Sequence, residues 1–340
     1  MTFAISRRGV LAGASALAAS PAVAGPSPSA AMQEVLDYAQ GQKTTGFLVV
    51  RDREVVVERN WPAPVDAAPF RAAFAYETTA DGALLEDVAS QQKSFVAVLA
   101  AIAVDKGLLD LERPVSDYVG AGWSGASSDQ ERAIRVIHLL HMNSGLGEAL
   151  NYVSPPGSAF FYNTPAYAVT KRVLASAAKQ PLEAITRDWL TAPAGMSNTA
   201  WRKRPAGFGD VGNPTGLVTC PRDVAAFGQL LLDGGRAADG RRIVSEVELK
   251  AMLAPSEANP SYGRLWWLNG GAYAIRPPAK RTEGPMIPAA PTDLVAALGA
   301  LDRKLYVSPR RKLVVVRMGQ AAPDKDFDQQ LWLRLSKALV

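Results

Sequence analysis

An apolar stretch of ten residues places the strongest constraint on how this chain folds. Residues Phe95–Val104 read Phe-Val-Ala-Val-Leu-Ala-Ala-Ile-Ala-Val, so the helix that they predict has no polar side. A helix that is apolar all round belongs in the core of a protein. The stretch is too short to cross a bilayer, which needs about 20 apolar residues. It therefore predicts a buried central helix.

A serine and a lysine stand at the beginning of this helix. Ser90-Gln91-Gln92-Lys93 places a hydroxyl and an amine on the same helix face, one turn apart. If the helix is buried, the Lys93 ammonium is desolvated and can lose its proton near neutral pH. The neutral amine can then accept the proton of the Ser90 hydroxyl. The motif predicts a serine nucleophile that needs no histidine.

Burial can lower the pKa of a lysine by as much as this chemistry requires. A free lysine has a pKa of about 10.4, so a base near pH 7 needs a drop of roughly three units, or about 4 kcal/mol. Full burial lowers a lysine pKa by about 3–5 units. The opposing interpretation is a surface lysine on a solvated helix. A second match, from Ser176 to Lys179, lies just before Gln180-Pro181 and is typical of such a solvated helix end.

Composition and charge describe an ordinary globular chain. The 340 residues are 48% hydrophobic and 20% charged, and a chain of this length is long enough for a large core that can be divided into two lobes. The net charge is +5 without a dense run of basic residues, which argues against a nucleic-acid partner. Short clusters such as Arg202-Lys203-Arg204 and Arg310-Arg311-Lys312 are interpreted as solvated loops.

The N-terminus predicts export. Ser6-Arg7-Arg8-Gly9-Val10-Leu11 resembles a twin-arginine motif, an apolar stretch follows it, and Ala22-Val23-Ala24 offers a cleavage site. Residues 1–24 are therefore interpreted as an export signal. Once this signal has been removed, we expect the mature protein to lie in the periplasm and not to be inserted in the membrane. A Sec-type signal would lead to the same compartment.

Other motifs point away from metal and cofactor chemistry. His138 and His141 are the only histidines, and no ligand cluster accompanies them, so we expect no metal site. Cys220 is the only cysteine and is interpreted as a small packing residue. Gly120–Gly125 fits the dinucleotide-binding glycine pattern, but a polar loop over residues 126–129 follows it where a helix would be needed. Ser128-Asp129-Gln130 is interpreted as a turn in this loop. No cofactor is expected.

Strand patterns at both ends of the chain enclose a helical middle. The predicted strands are 47–50, 54–59, 262–268, 294–298, 304–308 and 313–318, and the longer predicted helices are 32–42, 90–106, 164–179, 221–232 and 324–339. The pattern predicts an α/β (α+β) fold, with one antiparallel sheet built from both chain ends and flanked by helices. An α/β lobe would span about residues 30–110 and 210–340, with a mostly helical lobe over about 111–209 inserted in it.

Several segments, in the same order along the chain, resemble one known family. They are residues 87–95 with their continuation 107–115, then His138–Leu146, Pro156–Thr164 and Asp223–Gly235. Over about Phe47 to Val316 the chain resembles the serine β-lactamase-like hydrolases, a group that includes class C β-lactamases, DD-peptidases, esterases and amidases. The resemblance implies a β-lactamase/transpeptidase-like fold.

The resemblance also implies roles for particular residues. Ser90 would attack a carbonyl and form an acyl-enzyme, and Lys93 would accept its proton. Tyr162 would relay protons, with a phenolate stabilised by the neighbouring ammonium. Backbone N–H groups of Ser90 and Ala300 would form the oxyanion hole.

Four further residues are candidates for substrate contact. Thr164 occupies the second-motif position where the family usually has asparagine, and Gly299 would let a substrate approach the strand closely. Asn163 is either a substrate contact or a turn residue. Tyr152, with Trp266 and Trp267, either lines a pocket or packs in the core.

Departures from the family pattern favour one activity over others. The third motif falls at Ala297-Leu298-Gly299, where the usual cation and hydroxyl, which help β-lactamases to bind the carboxylate of the drug, are absent. We therefore expect an exported hydrolase of a small carboxylic ester or linear amide, such as a 6-aminohexanoate oligomer. The alternatives are a β-lactamase or DD-peptidase, or a non-catalytic binding protein on the same scaffold. The sequence does not indicate an oligomeric state.

Overall fold

The computed structural model describes residues 28–205 and 212–340, so the predicted export signal lies outside the described residues. The helices are α1 (Ala30–Gly41), α2 (Ala68–Phe74), α3 (Gln92–Asp105), α4 (Ser116–Val119), α5 (Ser128–Arg132), α6 (Val136–Leu140), α7 (Thr164–Ala178), α8 (Leu182–Thr186), α9 (Pro221–Leu232), α10 (Glu246–Met252) and α11 (Phe327–Ala338). The strands are β1 (Thr44–Arg51), β2 (Glu54–Asn60), β3 (Ala75–Thr78), β4 (Leu84–Asp87), β5 (Ala200–Lys203), β6 (Thr215–Thr219), β7 (Trp267–Leu268), β8 (Tyr273–Arg276), β9 (Lys280–Glu283), β10 (Val295–Gly299), β11 (Arg303–Ser308) and β12 (Leu313–Gly319).

The main sheet is antiparallel and is built from both ends of the chain. Its six strands follow the order β2-β1-β12-β11-β10-β7, and β1 pairs with β12 from Thr44↔Gly319 to Arg51↔Leu313. Every residue of β11 and β12 is buried, which requires cover on both faces of the sheet. The predicted fold class and the predicted sheet are therefore confirmed.

Helices cover the two faces of this sheet. On one face α1 and α11 pack together, with the rings of Tyr38 and Phe327 stacked 5.9 Å apart. On the other face α9 lies directly on β1, β11 and β12. The approach of α9 is close because Gly228 has no side chain; an added Cβ would lie 2.7 Å from Val314 Cγ1.

Helix α3 is the buried central helix that the apolar stretch predicts. All of its residues from Gln92 to Ala103 are buried, and it packs against α7, α10 and β10. Phe95 stacks on Phe227 of α9 with the ring centroids 3.7 Å apart. Each large apolar side chain buried here stabilises the fold by about 1.5–3 kcal/mol. The helix ends as predicted, with Lys106 as its C-cap and Gly107 in the left-handed conformation.

Two parts of the fold differ from the sequence-based expectation. The predicted polar loop over residues 126–129 instead leads into α5, because Ser127 and Gln130 form a capping box at its N-terminus. The strand predicted over 262–268 is reduced to β7, since a turn precedes it.

Two small sheets were not predicted. Strands β3-β4-β6-β5 form the first, and the hairpin β8–β9 forms the second. The hairpin lies in a Pro- and Gly-rich segment whose path the sequence pattern does not reveal. Within the described residues, no helix combines the length and apolarity that a membrane crossing requires.

Candidate active site

The candidate nucleophile lies on a strained turn between β4 and α3. Ala89 has a φ of +51°, a left-handed conformation that costs energy for a residue with a Cβ. Two hydrogen bonds hold it: its N–H donates to Asp87 Oδ1 over 2.8 Å, and its carbonyl accepts from Gln92 Nε2 over 2.9 Å. The turn fixes Ser90 immediately before the first turn of α3.

Lys93 points from α3 toward this serine. Its side chain is buried, at 2% exposure, and its Nζ lies 2.9 Å from Ser90 Oγ and 3.3 Å from Thr164 Oγ1. The rings of Tyr162 and Tyr167 stand on either side, each with its centroid 4.8 Å from Nζ. The shared helix face that the sequence predicts thus brings the amine into contact with the hydroxyl.

The electrostatic environment favours the neutral form of this amine. Burial, together with a smaller contribution from the positive charge of Arg204, lowers the pKa of Lys93 to about 7. Among the described residues, no carboxylate pairs with Lys93 to oppose this effect. Near neutral pH a large fraction of the amine is therefore unprotonated and can act as a base.

Tyr162 is held beside the pair by an aromatic wall. Its ring stacks on Trp267 with the centroids 5.8 Å apart and meets the edge of Tyr262 at 6.3 Å. Burial raises the pKa of Tyr162 to about 12, and its hydrogen bond with Ser90 only partly offsets this rise. The free protein thus carries a neutral phenol here, whereas the sequence-based interpretation expects a phenolate stabilised by an ammonium. The reason is that burial disfavours the charged phenolate more strongly than the hydrogen bond with Ser90 stabilises it.

A buried ion pair supports the strained turn. Arg204 donates to Asp87 through two bonds, Nε to Oδ2 over 2.6 Å and Nη2 to Oδ1 over 2.9 Å. The two side chains are 7% and 1% exposed. Gly216 makes room for the carboxylate, since an added Cβ would collide with Asp87 Oδ2. The interpretation of the basic cluster at 202–204 as a solvated loop is therefore wrong for Arg204.

The turn between β10 and β11 carries Ala300, the second predicted oxyanion-hole residue. Leu301 and Asp302 both adopt left-handed φ values, of +60° and +57°. Two arginines hold the turn: Arg303 Nη1 donates to the Ala300 carbonyl over 3.0 Å, and Arg317 Nη1 donates to the Leu301 carbonyl over 2.8 Å. Both arginine side chains are fully buried.

Three contacts join this turn to the nucleophile segment. Arg303 forms a fully buried ion pair with Glu86 at 3.1 Å, and Gln91 Nε2 donates to the Ala297 carbonyl over 3.4 Å. Gly299 lets β10 approach the Val88 carbonyl, with which an added Cβ would collide. Gly299 also lines the cavity beside Ser90, so its predicted role in letting a substrate approach the strand stays a prediction. The contacts fix the two halves of the predicted oxyanion hole relative to each other.

Ser90 and Tyr162 face a cavity of about 530 Å³. It is lined by residues from the nucleophile turn, the second motif, the β10 edge and the β8–β9 hairpin: Ser90, Tyr162, Trp267, Arg276, Pro277, Lys280, Thr282, Leu298, Gly299 and Ala300. Of the two tryptophans left open by the sequence, Trp267 lines this cavity, while Trp266 is fully buried against Phe227.

Three of the four predicted substrate contacts, Asn163, Tyr152 and Thr164, lie outside the lining of this cavity. Asn163 is buried, caps α7 by accepting from the Ala166 N–H, and donates to the Leu146 carbonyl, which corresponds to its alternative as a turn residue. Tyr152 forms a β-bridge with Leu146. Thr164 is in contact with the reacting groups, because its hydroxyl accepts a hydrogen bond from Lys93.

Four cavity residues from the hairpin, Arg276, Pro277, Lys280 and Thr282, were not predicted from the sequence. The available signal was two short strand-like runs separated by Pro277-Pro278-Ala279, a spacing typical of a hairpin. Over residues 28–205 and 212–340, no group of three or more His, Cys, Asp or Glu side chains is arranged to hold a metal ion.

The structure combines a serine that is hydrogen-bonded to a buried lysine with an antiparallel sheet covered by helices. This combination is typical of the serine hydrolases related to β-lactamases. The Beta-lactamase family model matches residues 30–339, so the chain belongs to the Beta-lactamase family. The predicted resemblance is confirmed, and the protein is a hydrolase of the β-lactamase-like family.

Individual relatives agree with this assignment. The chain is 25% identical to the 6-aminohexanoate-dimer hydrolase of Paenarthrobacter ureafaciens, over 83% of this chain and 74% of the relative. Its fold is similar to that of a penicillin-binding protein homologue from Caulobacter crescentus, with a TM-score of 0.65, 16% identity, and coverage of 92% of this chain and 97% of the other. A β-lactamase from Mycobacterium bovis gives a TM-score of 0.63 at 17% identity, over 90% of this chain and all of the other.

Proposed function

We propose that this protein is an exported serine hydrolase that cleaves a carboxylic ester or a linear amide through an acyl-enzyme on Ser90. The observation that carries the proposal is the buried Lys93 amine, 2.9 Å from the Ser90 hydroxyl and with a pKa lowered to about 7. A non-catalytic binding protein would have no need to keep an amine in this costly environment.

Acylation begins with proton transfer from Ser90 to Lys93. Ser90 Oγ forms a bond to the carbonyl carbon of the substrate, and the carbonyl oxygen becomes an oxyanion near the backbone N–H groups of Ser90 and Ala300. The proton then passes from Lys93 through the phenol of Tyr162 to the leaving alcohol or amine as the carbonyl–heteroatom bond breaks. The products are the free leaving group and an ester of Ser90.

Deacylation reverses these roles with water as the nucleophile. Lys93, neutral again, accepts a proton from water with the help of Tyr162, and the hydroxide attacks the acyl carbon. The bond to Ser90 Oγ breaks, the serine recovers its proton, and a carboxylic acid leaves. Since both steps use a neutral amine as base, the rate should depend on a group with a pKa near 7.

The choice of substrate class rests on the β10 edge of the cavity. Ala297 and Leu298 provide neither the cation nor the hydroxyl that β-lactamases use for the carboxylate of the drug. The relative from Paenarthrobacter ureafaciens is named for hydrolysis of 6-aminohexanoate dimer. These two observations favour a linear amide or an ester over a β-lactam or a D-alanyl peptide. The proposed export rests on the N-terminal motif alone.

A fluorophosphonate probe tests the nucleophile directly. We expect the folded protein to be labelled on Ser90, and the Ser90→Ala variant to lose both labelling and ester hydrolysis. Ser94→Ala is a matched control, because Ser94 lies four residues further on, in α3, and donates its hydroxyl to the Leu265 carbonyl. If the folded wild-type protein is not labelled, the alternative of a non-catalytic binding protein is favoured.

Three substrates separate the possible activities. We expect turnover of a p-nitrophenyl ester and of a short linear amide, and a kcat/KM for a chromogenic cephalosporin lower by about a hundredfold or more. A missing pair of charge-assisted contacts to the carboxylate of the drug accounts for a loss of this size, at about 1.5–3 kcal/mol per contact. Efficient cephalosporin hydrolysis would contradict the interpretation of Ala297.

A further inference from the structure

The hairpin β8–β9 brings two positive charges to the cavity of Ser90. Arg276 ends β8 and Lys280 begins β9, and both line the cavity together with Thr282. The cavity lining contains no acidic residue. The side of the cavity formed by the hairpin is therefore cationic, although the β10 edge has lost the cation of the third motif.

The two charges are held next to each other by the hairpin. Arg276 and Lys280 are direct cross-strand partners, and like charges in this position destabilise a strand pair. The loop between them begins with Pro277 and Pro278, whose rings fix φ and limit the freedom of the turn. The pair would be stabilised if an anion lay between the two side chains.

The protein supplies no such anion within the part that the structure describes. None of the ion pairs formed by the described residues includes Arg276 or Lys280. The field of Arg276 reaches Asp328, but the carboxylate of Asp328 is already paired with Lys304 at 3.0 Å. Both cations are exposed and remain available to a bound molecule.

The neighbouring charges of the hairpin face away from the cavity. Residues alternate between the two faces along a strand, so Lys280 and Thr282 share one face and Arg281 and Glu283 share the other. Arg281 is paired with Glu283 at 2.7 Å and lies over the Tyr273 ring at 3.7 Å. On the cavity face, Arg276 and Lys280 thus form no ion pair with the described residues, whereas on the outer face the charge of Arg281 is neutralised by Glu283.

We propose that Arg276 and Lys280 bind an anionic group of the substrate, so that the preferred substrate is an ester or linear amide that carries a carboxylate. This inference rests on the proposed function and extends that function by naming the charge of the substrate. Arg276 and Lys280 are specificity-determining residues in this role: they hold the remote end of the substrate, while the reaction occurs at Ser90.

A matched pair of esters tests the charge preference. The anionic member is the mono-4-nitrophenyl ester of adipic acid, and the neutral member is 4-nitrophenyl hexanoate, which has the same acyl length. We expect the wild-type protein to favour the anionic ester, with a preference that weakens as salt is added. The test quantity is the kcat/KM for the anionic ester divided by the kcat/KM for the neutral ester. In the double variant Arg276→Gln/Lys280→Gln this ratio should fall at least tenfold, mainly because KM for the anionic ester rises. Arg281→Gln, which removes a charge from the outer face of the same hairpin, should leave the ratio unchanged.

Binding to Ser90→Ala separates this inference from the proposed function. Titration of that variant with the anionic ester gives a Kd without turnover, and the added Arg276→Gln/Lys280→Gln changes should weaken it at least tenfold. If the neutral ester is hydrolysed by way of Ser90 but neither the ratio nor the Kd responds to the hairpin changes, the hairpin proposal is wrong. If no ester is hydrolysed while binding still requires the hairpin cations, the proposed function fails and the anion site stands.

Discussion

Replacing Lys93 with methionine is expected to lower kcat/KM for an activated ester about a thousandfold. Methionine fills a similar volume but cannot accept the proton of Ser90, and a positioned general base contributes about 10²–10⁴-fold. Steady-state kinetics between pH 6 and pH 10, with circular dichroism as a check of folding, measures the effect. Lys179→Met is a matched control, because Lys179 belongs to the second Ser-x-x-Lys match but is exposed at the end of α7.

The pH profile of the wild-type protein should report the same amine. The reactive form is the neutral one, so kcat/KM should rise as pH increases through about 7, the pKa of Lys93, and level off above it. The residual activity of Lys93→Met should lack this rise. Full activity in that variant, or a rise that persists in it, would remove Lys93 from the mechanism.

Replacing Lys93 with methionine should raise stability while it lowers activity. The pKa of Lys93 is about 7 in the folded protein and 10.5 in the unfolded chain, so the unfolded state binds more protons between these two values. The wild-type protein should therefore gain stability as pH rises from about 7 to about 10.5, and the buried amine costs it a few kcal/mol below that window. We expect Lys93→Met to be more stable than wild type at pH 7, with an advantage that shrinks toward pH 10 in urea titrations.

The sequence predicted the contact between Ser90 and Lys93 because its signals are local. The spacing of Ser90 and Lys93 follows from the geometry of one helix, and the apolar residues beside them predict the burial of that helix. Burial is also what lowers the pKa of the Lys93 amine, so the same apolar pattern that predicted the buried environment also supports the proposed role of Lys93 as a base. The fold class was likewise predictable, since the alternation of strands and helices along the chain is a local pattern.

The parts that the sequence did not predict depend on distant contacts. In the sequence, Arg204 resembles a surface residue in a basic cluster. Only the pairing of β5 with β6, and of β6 with β4, brings it to Asp87. In the same way, Arg276 and Lys280 become cavity residues only when their hairpin folds over the edge of the site. The raised pKa of Tyr162 could not be predicted either, because it depends on burial of the phenol, and the neighbouring rings of Tyr262 and Trp267 come from a distant segment of the chain.

Replacing Arg204 with methionine is expected to destabilise the fold by about 3–5 kcal/mol, the usual cost of leaving a buried charge without its partner. The charge left behind is that of Asp87, which also accepts the N–H of Ala89 and so holds the strained turn before the nucleophile. Urea unfolding measures the loss. Arg202→Met is the matched control: Arg202 lies two residues away, in an exposed pair with Glu77 at 3.5 Å, and such pairs contribute about 0–1 kcal/mol.

The same substitution should shift the pH dependence of activity. The charge of Arg204 lowers the pKa of Lys93, so its removal should move the rise in kcat/KM to higher pH. If Arg204→Met does not fold, Asp87→Asn/Arg204→Met removes both charges of the pair, and the amide of asparagine can still accept the Ala89 N–H. Arg204→Lys keeps the charge and loses the two-bond geometry, so it should lose stability but keep the wild-type pH profile. An unshifted profile in the charge-free variant would show that burial alone sets the pKa of Lys93.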